Sequence, residues 1–432
     1  MGIYTINVRY VWGVITILSL LEFCVYLALL TSSFDIFLAF QLGGTVRFAY
    51  IIIILPIFYA IYCCMKKRRV CFAYYIKYLF LWSTFLWAFL INTNYLSRTI
   101  GYQIWLFLNI AIVLMFMNMP FNINKLMRVY IMSFFFVAVF GIMQFFLAPY
   151  LSFSTPLVQQ WWIPGVLPRV NGFSYEPSYF ATYLIIGWTL TYCMINFQEY
   201  SIFGKKIFIA ICAVETIAMI LSSSRMGIAL MVLIMLLPKT KKLLIFLRGL
   251  CLGKISMTLL RNIIFFICFL FGMFTVFYLN FEFDEYMFLL QGTGIGGTAA
   301  HSYDTRYSEF LSTIAIFADN PIFGVSLGGI SENMPGFYSN ASYKVEGMCV
   351  FAEVLAASGI IGVVPFIAYL YFIVRDAFKL SSIKNDKLLL ALVCAFLSEL
   401  VILQFNQNIL RPYFWLHIGI LSAYYRYCLL EK

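Results

Sequence analysis

Apolar residues come along this chain in long unbroken blocks, with polar residues confined to shorter stretches between them. Neither the two-residue alternation of a half-buried strand nor the narrow stripe of a surface helix describes that pattern. Runs of about 18 or more apolar residues describe membrane-spanning helices. Twelve such blocks are expected, at roughly 11–30, 48–64, 72–92, 104–119, 129–149, 177–197, 207–222, 226–238, 262–281, 351–374, 388–405 and 412–428. The seventh and eighth are short, and each is expected to extend into its flanks. The predicted class is an all-α polytopic membrane protein of about twelve transmembrane helices, a single integral membrane domain over 1–432. Two connections are long, 150–176 and 282–350, and the second precedes the last three spans. Long connections without a domain of their own usually serve as lids or binding segments. The stretch 239–261 mixes basic and apolar residues and suits an amphipathic helix on the inner lipid surface. No heptads, fixed-period repeat or inverted repeat is found.

Charge orients these blocks. Lys66, Lys67, Arg68 and Arg69 follow the second span and hold that loop inside, which places the N-terminus inside as well. Every second loop then carries the basic residues, and an even number of spans puts both termini in the cytoplasm. Of 29 Lys and Arg residues, 22 fall on the inner side or within spans. The other seven are Arg47, Arg98, Arg169, Arg225, Arg306, Lys344 and Arg411. Positive charge is disfavoured outside, so an arginine kept there usually has a task.

Composition agrees with a polytopic inner-membrane protein rather than a soluble domain: 63% hydrophobic, 19% aromatic and 11% charged. The net charge of +11 would suggest nucleic acid in a soluble protein, but its distribution here describes topology, and no nucleic-acid partner is expected. Of eleven cysteines, all but Cys349 lie in spans or inner loops, so no disulfide framework is expected outside. The only histidines are His301 and His417, metal-ligand spacing is absent, and neither metal nor cofactor is expected. The first apolar run lacks a small-residue cleavage site and reads as a retained span.

Three stretches carry candidate chemistry. From Pro168 the chain reads PRVNGFSYEPSYFATY, entering the sixth span. Asn171 and Gly172 suit a tight turn and Pro177 the first turn of a helix. Two readings fit Arg169. Its planar fork suits two oxygens of a pyrophosphate, or it snorkels to lipid headgroups. Glu176 is either a charge balancing the helix dipole or a catalytic carboxylate. The second stretch runs Ser222 to Gly227 between the seventh and eighth spans and holds Arg225 at the membrane edge. A charge near the bilayer core costs about 2.5–3.5 kcal/mol and needs a partner, either an intramembrane acid such as Glu215 or a phosphate. The third is His301-Ser302-Tyr303-Asp304-Thr305-Arg306-Tyr307-Ser308-Glu309. Arg306 either closes a local pair with Asp304 or Glu309, or contacts a phosphate or sugar. His301 is either incidental or an acid/base near neutral pH. Glu22, Glu215 and Glu399 lie inside spans and cannot cheaply face lipid. Asn406, Gln407, Asn408 and Arg411 cluster at the outer end of the eleventh span, to pair with Glu399 or line a cavity.

At these residues the chain resembles the O-antigen polymerase branch of the O-antigen polymerase/ligase superfamily. The resemblance covers the whole topology and is sharpest in four fragments. They are Arg169-x-x-Gly172-x-x-x-Glu176-Pro177-Ser178, Ser224-Arg225-x-Gly227, Pro321-x-Phe323-Gly324, and Ser358-Gly359-Ile360-Ile361-Gly362. It implies a metal-independent membrane glycosyltransferase of GT-C type, acting at the periplasmic face on undecaprenyl-pyrophosphate-linked oligosaccharides. It also implies contact with membrane lipids and a chain-length-determinant co-polymerase as partner. Arg169 and Arg306 match the family's proposed substrate-gripping arginines. With Glu176 and His301 they form the candidate catalytic set, and Arg225, Asn171, Tyr303, Glu346 and Arg411 the candidate substrate-binding set. The ligase branch carries a histidine ahead of the tenth span, where this chain has Glu346, Met348 and Cys349. That departure disfavours a ligase and leaves the acceptor base among Glu176, His301 and Glu346. A lipid-linked oligosaccharide flippase is the rival from another class.

Overall fold

A computed structural model describes residues 8–41, 45–88, 96–150, 157–163, 167–236, 300–335, 349–405 and 409–430. In chain order, α1 spans Val8–Leu30. The strands β1 Ala39–Gln41 and β2 Thr45–Arg47 pair antiparallel. They are followed by α2 Phe48–Lys67, α3 Ile76–Ala88, α4 Leu96–Asn118 and α5 Ile123–Leu147. A second antiparallel hairpin, β3 Gln160–Ile163 and β4 Leu167–Arg169, precedes α6 Pro177–Phe197. Then come α7 Lys205–Ser222, α8 Arg225–Leu236, α9 Ala300–Asp319 and α10 Ile330–Asn333. Three helices close the order, α11 Val350–Lys384, α12 Lys387–Ile402 and α13 Pro412–Leu430.

The protein is mostly helical. Among the described residues five helices are long and apolar enough to cross a membrane: Phe48–Lys67, Leu96–Asn118, Ile123–Tyr150, Pro177–Phe197 and Val350–Lys384. Helices occupy eleven of the twelve expected stretches. The ninth, 262–281, lies outside the described residues, as do the amphipathic stretch 239–261 and most of the long connection 282–350. That connection carries α9, so it is not structureless throughout. Glu309, Thr313 and Ile316, spaced three or four residues apart, form the buried face of α9.

The chain divides into two compact units, 1–227 with 308–432, and 228–307. In the larger unit α6 is the central helix. Its apolar window is 78% buried, against 33% for α2. It packs most heavily on α12 and α7, while α4 packs on α13 and α3 on α11. α2 is apolar on both faces. Tyr50, Ile53, Ile57 and Ala60 point inward, while Ile51, Leu55, Phe58 and Tyr62 are exposed. A helix hydrophobic all round and half-exposed belongs in lipid rather than water.

α11 breaks at Gly359, where φ is 60°. The break releases the carbonyls of Ala356 and Ala357, and the incoming chain satisfies them: Val325 N–H donates at 2.9 Å and Ser326 N–H at 2.7 Å. In return Ile360 N–H donates to the Pro321 carbonyl at 2.9 Å and Ile361 N–H to that of Ile322. Backbone inside a membrane protein must find such partners within the protein. Both glycines at this crossing are required by their backbones. A Cβ on Gly324 (φ 72°) would lie 2.5 Å from the Ala356 oxygen, and one on Gly359 closer still to the Ile322 carbonyl. The Pro321–Gly324 and Ser358–Gly362 fragments are thus two halves of one backbone junction.

Candidate functional site

The start of α6 is assembled from four parts of the sequence. β3 and β4 set Gln160 opposite Arg169, and Arg169 Nη1 donates to Gln160 Oε1 at 2.8 Å. Its Nη2 reaches the Ser223 carbonyl at 3.5 Å, and Val170 N–H bonds the Leu221 carbonyl, tying this hairpin to the α7–α8 corner. At that corner Ser223 adopts a left-handed φ of 52°, Ser224 Oγ accepts from Gly227 N–H, and Arg225 stands exposed as the first residue of α8. The first fragment of the resemblance is therefore bonded to the residues that directly precede the second.

Asn171 builds the turn that follows. It is fully buried, and its Nδ2 donates to the Ser174 and Gly172 carbonyls. Its Oδ1 accepts from Gln144 Nε2, while Gln144 Oε1 accepts the Asn171 and Gly172 N–H groups. The side chain is turned to protein. Phe173 stacks on Phe34 and Phe140 with ring centroids 3.9 Å apart in each case. The Phe173 carbonyl accepts from Asp35 and Ile36 N–H. Glu176 then takes the extended N-cap backbone position with Pro177 as the first helical residue, and Glu176 Oε2 accepts from Ser178 Oγ at 2.9 Å.

Asp35, locked to this turn, is the centre of a buried charge cluster. It accepts from Arg47 Nε at 2.7 Å and from Arg411 Nη1 at 2.5 Å. Burial alone would raise the Asp35 carboxyl, but the Arg411 and Arg47 guanidiniums outweigh it and hold the group below the ordinary carboxylate value. For Arg411 burial works against the charge, and Asp35 more than restores it, so its proton is held more tightly than usual. The Arg411 guanidinium also lies 4.5 Å from the centroid of Tyr179, in the first turn of α6. Glu399, weighed as a partner for Arg411, instead meets His417 Nδ1 at 2.7 Å, both side chains fully buried. Glu215, weighed as a partner for Arg225, accepts from Thr191 at 2.7 Å.

Arg169, Asn171, Glu176, Arg225 and Arg411 are thus brought to one end of α6. His301, Tyr303 and Arg306 lie on α9 in the 228–307 unit, with Arg306 half-buried. Glu346 and the polar run 406–408 fall outside the described residues. Sequence reasoning passed over Asp35, Gln144 and Tyr179. Only Asp35 left a trace, as the lone acid between the first apolar run and Arg47. A second polar group tethers the residues before α11. Arg98 Nε donates to the Gly328 carbonyl, Gln103 to Ser326 Oγ, and Thr99 to the buried Glu332. Among the described residues no three His, Cys, Asp or Glu side chains gather as a metal site.

Chemically, the α6 end combines a helix N-terminus with guanidiniums, and two of the arginines share a single carboxylate. Such an arrangement favours anions. The fold and this end define a helical membrane protein with a cation-rich helix start. No protein-family model matches the chain, and no curated protein matches its sequence.

Proposed function

We propose that this chain is a membrane glycosyltransferase of the O-antigen polymerase type, with about twelve spans, GT-C architecture and both termini in the cytoplasm of a bacterial inner membrane. Its substrates are undecaprenyl-pyrophosphate-linked oligosaccharide repeat units, joined at the periplasmic face. One observation carries the reading. Two of the fragments that resemble the family, at Pro321 and Ser358, bond backbone to backbone, and the Arg169 fragment bonds to Leu221 and Ser223, directly ahead of Ser224 and Arg225, beside the start of α6.

In the proposed step an acceptor hydroxyl of the incoming unit attacks the anomeric carbon of the growing glycan. The bond from that carbon to the lipid pyrophosphate breaks, with inversion, and the pyrophosphate leaves with the electron pair. Arg169, with Arg225, stabilises the charge that develops on it, and the resemblance alone assigns Arg306 the same task. Glu176, His301 or Glu346 takes the acceptor proton. Arg169→Ala is expected to abolish polymer and leave a single-repeat glycolipid on gels of surface polysaccharide. A normal ladder from that strain removes the assignment.

A flippase reading draws on the His417–Glu399 pair inside the helices, because transporters place ionisable groups near the midplane. Repeat units trapped on the cytoplasmic side of a deletion strain favour that reading. Free lipid-linked polymer favours a ligase.

A further inference from the structure

Between α1 and α5 lies an apolar groove of about 410 Å³. Phe23, Tyr26 and Leu30 form one wall, Met132 and Phe136 the other, and Phe203 lies across one end. Phe23, Met132 and Phe136 are exposed, so the groove presents its own lining outward. Two cations belong to its α5 wall. Arg128 lines the groove and is anchored through Nε to the Ile202 carbonyl at 3.2 Å, so both Nη groups remain for a ligand. Lys125 Nζ lies 5.2 Å from the centroid of the Tyr26 ring. The Tyr26 hydroxyl donates to Glu22 Oε2, a carboxylate on the α1 wall. On the α1 and α5 walls two cations stand against one carboxylate, an excess of +1 beside an apolar trough, and in the segment around Phe203 Lys205 and Lys206 likewise outnumber Glu199.

We propose that this groove binds one anionic phospholipid, its acyl chain along Tyr26, Met132 and Phe136 and its phosphodiester at Lys125 and Arg128. The argument is charge closure. A phosphodiester with an uncharged headgroup brings −1 and neutralises the site, whereas a zwitterionic lipid carries its own ammonium and leaves the excess in place. The guanidinium fork of Arg128 suits two phosphate oxygens, and Lys125 supplies a point charge. This site does not rest on the polymerase reading, since Lys125, Arg128 and Glu22 are none of the residues proposed to hold the glycolipid, although Phe136 also stacks on Phe173 of the turn before α6.

The test is native mass spectrometry of the full-length protein in mixed micelles, titrated with phosphatidylglycerol or phosphatidylethanolamine of identical acyl chains. One phosphatidylglycerol is expected to be retained preferentially, by roughly fivefold for each basic residue engaged. Lys125→Gln and Arg128→Gln should each remove about one such factor, and Met132→Trp should lower occupancy by both lipids by filling the groove. Lys125→Gln leaves every backbone bond in place, so it reads out the site even where Arg128→Gln disturbs the chain at Ile202. Equal retention of the two lipids overturns the proposal. So does a preference that survives the double substitution, or displacement of phosphatidylglycerol by a polyprenyl phosphate.

Discussion

Asp35 holds two guanidiniums on one carboxylate, and it is reached from Arg411 across 376 residues of sequence. Removing one member of a buried ionic group leaves its partners uncompensated, at a cost of about 3–5 kcal/mol. Asp35→Asn is therefore expected to lower the melting temperature of the detergent-solubilised protein far more than loss of an exposed pair would, and Asp35→Asn/Arg411→Gln to recover part of it. The pH dependence has a definite sign. The folded carboxyl is held below its ordinary value, so its contribution is complete above about pH 4 and drains away as pH falls through the lower folded value. The melting temperature of the wild type should then drop more steeply below that pH than that of Asp35→Asn. Parallel profiles would acquit Asp35. Of this cluster the sequence displayed only the ingredients, an outer Arg411 and Arg47 and a lone acid. Partnership across so many residues is set by packing of α1, α2 and α13, which no local pattern encodes. Arg169, Glu176 and Arg225 were legible because their spacing sits on one turn and one corner.

At the scale of elements, apolar blocks located the helices well, and α6 begins and ends where its block does. Several others run past their blocks. α11 continues to Lys384, and α4 starts at Leu96, because polar residues beyond the apolar core still continue a helix. The break at Gly359 was not legible, since glycine inside an apolar run is ordinary in a membrane helix. Gly324→Ala and Gly359→Ala should each destabilise by about 1–3 kcal/mol or more, since each forces a side chain into a left-handed backbone already crowded by another strand of chain. Gly101→Ala offers the contrast. It lies in α4 with nothing within 4 Å of an added Cβ, and it should be neutral or stabilising by up to about 1 kcal/mol. A thiol-reactive melting assay compares the three. Equal behaviour of all three would mean that the junction between residues 321–326 and 356–361 contributes nothing.

For the whole molecule, the alternation of basic and neutral loops makes a claim about sidedness that labelling can check. With other cysteines replaced, Cys71, exposed between α2 and α3, should react with an impermeant maleimide only after the cells are opened. A cysteine at exposed Tyr175 should react in intact spheroplasts. The reverse result would invert the topology and carry the α6 start to the cytoplasm. What the hydropathy could not show was that loop and bundle interlock. The consequence falls on any attempt to exchange this protein's long connection ahead of α11 for another's. Residues 320–326 supply the donors and acceptors that a severed α11 would otherwise leave bare in hydrocarbon, so they travel with the recipient bundle, not with the transplant. A graft cut upstream, within α9, should insert and fold, whereas one cut downstream of Ser326 should be degraded before its specificity can be measured.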